Sequence, residues 1–308
     1  MVGLLGRDFE KLQQVINAAV LGSIYSLFAF GIGLPWGTMN VLNLAHGSIF
    51  LLCGFICYVL SVKARVPLNL PEAAAVAIAV GVCADWLIEL IVFRQIRRRS
   101  SNDGEAQLLM VIGSVGIAGI PIAIANNVTG GVPFMILQQP THSREHELFG
   151  ASISNLEISI IALSVGIVVA AALWVRFSRH GRGLRAIAVD PEIASLMGIS
   201  RSRASAIVMG ISGGTAGLAG VLFGEYLASL QSTSGEDLLL KGFAVVVVGG
   251  VGSLWGLLVG AFALAVGEVV VTATTSGVWT DGVSFALIIV ILLLRPNGIF
   301  GRATVDRT

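Results

Sequence analysis

The chain has 308 residues, 55% of them hydrophobic and only 12% charged, with a formal net charge of +1. Soluble domains carry ~25% charged residues, so this chain lacks the charged skin that a water-exposed fold requires. Its near-zero charge also excludes electrostatic capture of nucleic acid.

Glycine is abundant, at 38 residues, and sits inside apolar runs. Small residues there let helix backbones approach each other in lipid. Cys53, Cys57 and Cys83 also fall in apolar runs. They lack paired C-x-x-C spacing and read as small fillers rather than metal ligands.

The opening MVGLLGRDFEKLQQ is mixed and shows no cleavage pattern, so the first apolar run itself directs insertion. A span needs ~20 predominantly apolar residues. Candidates in chain order are 12–34, 44–62, 72–93, 108–126 with Pro121 as a kink, 156–177 and 205–228. The stretch 239–273 is cut by VVGGVGSLWG and reads as a short broken segment, then a full span from about Trp255. The last span is 282–294, closed by Arg295 and Pro296. The fold class is therefore an all-α integral membrane protein. It is a single domain over 1–308, a bundle of about eight transmembrane helices with one or two broken or re-entrant segments.

Basic residues in short loops mark the cytoplasmic side. One loop holds Arg94, Arg97, Arg98 and Arg99; a second, about 178–203 with the preceding Arg176, holds Arg179, Arg182, Arg185, Arg201 and Arg203. Spans four and five separate them, an even number, so both are cytoplasmic. The segment 127–155, with Arg144 alone, then faces outside, as does the N-terminus. Arg302 and Arg307 favour a cytoplasmic C-terminus, which requires 239–273 to cross twice or not at all; a hairpin through GGVG does this if its short first arm suffices.

Two segments are interrupted. In GIGLPWGTMNVLNLAHGSIFLL, Pro35, Gly37, Asn40, Asn43 and Gly47 break the helix. In KGFAVVVVGGVGSLWGLLVGAFALAVGE, Gly249 and Gly250 do so, and Trp36-Gly37 looks like an internal counterpart of Trp255-Gly256. A broken helix at membrane depth persists only where protein or a water-filled path satisfies the backbone, and in transporters such breaks adjoin the substrate. The alternative is an ordinary loop between spans. Asn40, Asn43 and His46 recur every three residues and would share a helix face, lining a path or joining helices. Gly249 and Gly250 are placed on the same path.

The segment VDPEIASLMGIS has local logic for a short helix. Asp190 suits the N-cap and Pro191 the first helical position. Glu192 sits at the positive end of the dipole, and Gly198 suits a left-handed stop. Ile193, Leu196 and Met197 beside small Ala194 make an apolar knob fit for a partner's groove, or for resting on headgroups.

NLAHG, RAIAVDPEIASLMGIS, GISGGTAGLAGVLFG, AVVVVGGVGSLWGLLVGA and SFALIIVILLLRPNGIFG, in this order, resemble the permease subunits of branched-chain amino acid ABC importers, the shorter of their two types. The resemblance runs from about Asn17 to Phe300. It implies a multi-pass permease of the cell inner membrane that moves a small solute and is not an enzyme. It makes Asp190, Pro191, Glu192, Ile193, Ala194, Met197 and Gly198 a coupling helix for an ATPase, with Glu192, Ala194 and Gly198 on the E-x-A-x-x-x-G core of the loop signature. The signature's opening residues differ, an Ala-Ile-Ala run standing in their place. The implied partners are a second, related permease subunit, two ATP-binding cassette subunits carrying ATP-Mg, and an extracytoplasmic solute-binding protein. No cofactor is implied for this chain; none of Lys11, Lys63 or Lys241 fits a G-x-x-x-x-G-K-[ST] phosphate loop.

Acidic residues within spans need partners. Asp85 and Glu89 fall within reach of Arg94 or Arg97, and Glu268 lies deeper. These acids also support a different class, an ion-coupled secondary transporter. A membrane-embedded enzyme has little to build on: only His142 and His146 are close in sequence, without an H-E-x-x-H pattern.

Overall fold

Polar caps start most helices, and apolar length carries them onward. The computed structural model describes residues 2–138, 144–148 and 151–274, together with 282, 286, 289, 290, 293, 298 and 300; of residues 2–10 it describes the backbone alone. The helices are α1 (Val2–Met39), α2 (His46–Tyr58), α3 (Leu70–Ile88), α4 (Arg94–Arg99), α5 (Asp103–Thr129), α6 (Asn155–Phe177), α7 (Arg179–Val189), α8 (Pro191–Leu196), α9 (Arg201–Tyr226), α10 (Ser234–Gly249) and α11 (Leu254–Thr274). A π-helical turn over Val59–Lys63 prolongs α2, and another over Glu89–Phe93 joins α3 to α4. Seven segments among the described residues are long and apolar enough to cross a membrane: Lys11–Met39, His46–Lys63, Leu70–Arg99, Asp103–Thr129, Asn155–Phe177, Arg201–Tyr226 and Leu254–Thr274. The expected last span, 282–294, lies mostly outside the described residues.

Side-chain caps fix the starts. Asn69 and Glu72 at α3, and Ser154 and Glu157 at α6, form reciprocal capping boxes. Asn102, Ser178, Asp190 and Ser200 accept from first-turn N–H groups of α5, α7, α8 and α9. The helices α2 and α10 start without any side-chain cap.

The centre is made of α1, α2 and α9. Glycines bring α9 into backbone contact with its neighbours. A β-carbon on Gly213 would overlap the Gly81 carbonyl of α3, one on Gly217 the Ala77 carbonyl, and one on Gly220 the Phe50 carbonyl of α2. The outer faces of α3, α5, α6 and α11 expose Leu87, Ile91, Ile112, Ile120, Ile158 and Val266, side chains that lipid solvates as well as a core does.

The two ends of the bundle differ. Arg201 pairs with Asp103 at 3.2 Å, so the loops after α4 and before α9 share one end, as their arginines predict. The other end is covered by the 127–155 segment. The sequence reads as a polar loop there, but strands β1 (Glu145–Leu148) and β2 (Ala151–Ser154) pair antiparallel, with Glu145 opposite Ser154. Gln13 accepts from the Ser152 N–H at 3.1 Å, and Ser61 from the Gln138 N–H at 2.9 Å. Helix α1 therefore starts at the hairpin end, and α2 finishes there.

Both interruptions differ from expectation in position. Pro35 does not break α1, which continues to Met39; the break is at Asn40, in the left-handed region at φ 52°. Residues 40–45 then fold back, so that α2 starts beside the middle of α1, with His46 against Phe28. The second re-entrant segment is 227–233, not the GGVG run. Phe134 pairs with Leu230, which packs on Gly54 and Gly224, and Gly235 lies level with Gly47. A β-carbon on either Gly47 or Gly235 would overlap the other's carbonyl oxygen. About 24 Å of helix rise separates Gly47 from Lys63, so α10 begins deep within the bundle.

Helix α10 is the short first arm of the expected hairpin, and α11 returns. The pairs α1–α2 and α9–α10 are each a long helix, a re-entrant turn and a helix starting at depth, running in opposite senses. This is the inverted arrangement of repeat-built transporters. Trp36-Gly37 and Trp255-Gly256 are not its counterparts; they lie beside the α10–α11 turn, where Gly37 meets Gly252.

Candidate functional site

The first re-entrant segment is held by a buried polar cluster. Asn43 donates from Nδ2 to Asp85 Oδ1 at 2.9 Å, and its Oδ1 accepts from the Ala45 N–H at 3.1 Å. The Leu44 N–H donates to Ser114 Oγ at 3.1 Å. His46 Nε2 lies 3.2 Å from the Phe28 carbonyl, and Nδ1 lies 3.2 Å from Ser212 Oγ. A carbonyl only accepts, so Nε2 carries the proton and Nδ1 accepts from the Ser212 hydroxyl. Asn43, His46, Asp85, Ser114 and Ser212 are all buried. Helices α1, α2, α3, α5 and α9 thus converge on residues 43–46. Asp85 Oδ2 has no hydrogen-bond partner among the described residues.

The expected helix face through Asn40, Asn43 and His46 does not form, because residues 40–43 are not helical. Asn40 is exposed after the last turn of α1, and only Asn43 and His46 enter the cluster. Gly249 and Gly250 are elsewhere. Gly249 packs on Gly256, and Gly250, at φ 92°, ends α10. They make the tight α10–α11 turn.

The remaining acids pair. Arg97 of α4 turns back to Glu89, and also reaches Ser205 at 3.3 Å. On an unbroken helix these two would point about 80° apart, and the extra residue of the π turn brings them to within about 20°. Lys241 of α10 meets Glu268 of α11 at 3.1 Å, and Tyr25 of α1 donates to Glu268 at 2.7 Å. Sequence reading missed Tyr25, Lys241, Ser114 and Ser212. A lone lysine and a lone glutamate of one apolar stretch were the available signal for the second pair; the serines gave none.

An open groove of about 440 Å³ between α3, α6 and α9 has walls of Ile78, Val82, Ile167, Ile207 and Gly210. Such a lining suits an acyl chain and offers a polar solute little.

The loop helix forms as its local chemistry predicts. Asp190 Oδ1 accepts from the Glu192 and Ile193 N–H groups at 2.9 and 3.0 Å, Pro191 is first in α8, and Gly198 turns left-handed at φ 81°. Ala194 is buried, whereas Ile193 is 60% exposed, Met197 78%, Leu196 85% and Val189 87%. These four apolar side chains stand in solvent at the basic end.

A bundle of seven described spans with paired re-entrant segments and a capped end helix that exposes apolar side chains is the build of a membrane transport protein. The family described as branched-chain amino acid transport system, permease component, matches residues 14–292, and the chain belongs to it. It is similar to the high-affinity branched-chain amino acid transport permease LivH of Salmonella typhimurium and of Escherichia coli, each 30% identical over 96% of this chain and 97% of the relative. It is 29% identical to BraD of Pseudomonas aeruginosa, over 97% and 98%. The fold is shared with PsaBC from Streptococcus pneumoniae in complex with Fab, at TM-score 0.51 and 12% identity over 97% and 98% of the chains. The chain is thus a multi-pass transport permease and not an enzyme, as its motifs imply.

Proposed function

We propose that this chain is the translocation subunit of an ATP-driven importer for branched-chain or related amino acids in the cytoplasmic membrane. The solute class follows that of the LivH and BraD relatives. The observation that carries the energy-coupling half of the reading is α8, a capped helix that exposes Ile193 and Leu196, with Val189 and Met197 exposed on its flanks, at the end where the arginines cluster. By the positive-inside rule that end faces the cytosol, where an ATP-binding cassette subunit docks at Ile193, Leu196 and Met197. ATP-Mg is bound by two such subunits. A second, related permease subunit completes the passage, and an extracytoplasmic binding protein delivers solute at the hairpin end. Asn43 and His46 hold the re-entrant segment at the passage rather than binding solute through a shared helix face.

The test is uptake of leucine into liposomes containing the chain with and without its ATPase and permease partners. ATP-dependent uptake by the complete assembly alone is expected. Gradient-driven uptake by this chain alone would establish the ion-coupled class instead.

A further inference from the structure

One face of α10 is polar where it ought to be apolar. Gln231, Thr233, Glu236 and Asp237 are exposed, yet they flank Gly235, which is pressed against Gly47 deep in the bundle. Thr233, Glu236, Asp237 and Leu240 recur at three- and four-residue spacing and share a face. Further along this helix, Leu240 is exposed and apolar. An acidic side chain facing lipid near mid-membrane costs ~2.5–3.5 kcal/mol, and a re-entrant backbone is tolerated only beside protein or water. The start of α10 also lacks a side-chain cap, and the Ser232 hydroxyl next to it is buried with no partner among the described residues. Helix α11, beside it, exposes Val259, Val266 and Val270 along its length, and polar Thr272 and Thr274 only at its end.

We infer that Gln231, Thr233 and Glu236 form a wall of the water-filled passage, on the side of this chain that meets the second permease subunit. The inference rests on the transport reading and adds which surface the solute crosses. At that wall the carboxylate of Glu236 stands where a solute's ammonium group passes.

Thiol accessibility in the assembled transporter decides the matter. With the exposed native Cys83 replaced as Cys83→Ala, the variants Gln231→Cys, Thr233→Cys and Glu236→Cys are treated with a hydrophilic, membrane-impermeant thiol reagent, and Val266→Cys is the lipid-facing control. The reactive thiolate forms where water solvates it, so the three passage variants are expected to react about tenfold or more faster than the control. All four positions are exposed in the single chain, so the substitutions leave packing intact. Reaction no faster than at Val266→Cys would overturn the inference, whether dry protein or lipid covers the strip. ATP-driven leucine uptake, measured on the same vesicles, reports separately on the transport reading.

Discussion

If α8 docks an ATPase, truncating its exposed apolar side chains weakens binding by an amount the structure sets. Leu196→Ala removes three carbons, worth roughly 0.8 kcal/mol each when fully buried. Leu196 is 85% exposed in the free chain, so nearly all of that burial is gained on docking. The loss is about 2 kcal/mol, or about 30-fold in affinity. Ile193, at 60% exposure, has less left to bury, and Ile193→Ala should cost about 1.4 kcal/mol, or tenfold. The two side chains are neighbours on one helix, so the double variant need not show the sum. Neither substitution touches the core, and the fold of the permease should be unchanged to within about 0.5 kcal/mol. The assay is equilibrium binding of the purified ATPase to the permease assembly in detergent, with melting of the permease as control. An affinity within about threefold of the parent for Leu196→Ala would refute the docking role of α8.

Three other outcomes follow from buried contacts, each read as thermal unfolding in detergent. Glu268→Leu leaves the Lys241 ammonium beside an apolar side chain and should cost about 3–5 kcal/mol, whereas Lys241→Met with Glu268→Leu recovers most of it; a double variant as unstable as the summed singles would contradict the pairing. Gly213→Ala pushes a methyl into the Gly81 carbonyl and should cost roughly 1–3 kcal/mol, while Gly116→Ala, with nothing near it, should be neutral or stabilising by up to about 1 kcal/mol. Equal melting of the two glycine variants would mean that α3 and α9 do not touch. Asn43→Leu removes the Asp85 donor and should cost roughly 1.5–3 kcal/mol, with leucine uptake falling further than Asn40→Leu lowers it, since Asn40 lies outside the cluster.

Local chemistry was legible in the sequence, and long-range chemistry was not. Asp190, Pro191 and Gly198 act within their own turn, and α8 forms as they dictate. The spans were legible because apolar length is also local. The spacing of Asn40, Asn43 and His46 misled because it has meaning only on a helix, and the backbone leaves the helix at Asn40. Glycine was ambiguous for a different reason. Gly249–Gly250 in a tight turn and Gly47 at a backbone crossing look alike in an apolar run, and only the opposing Gly235 carbonyl separates them. That is why the sequence points to GGVG as the second interruption rather than to 227–233, a segment with no glycine to mark it.

Charges within spans fall between these cases. The hydrophobic surroundings of Asp85, Glu89 and Glu268 demand partners, but sequence names a partner only when it lies a few turns away, as Arg97 does for Glu89. Asp85 finds Asn43 because the first re-entrant segment returns the chain to mid-depth, and Glu268 finds Tyr25 because α11 packs along α1, far away in sequence. Glu236 follows the second re-entrant segment in the first turn of α10, but it is exposed on the outside of the bundle. Water or a second subunit at that surface is the medium that suits the exposed Glu236 carboxylate.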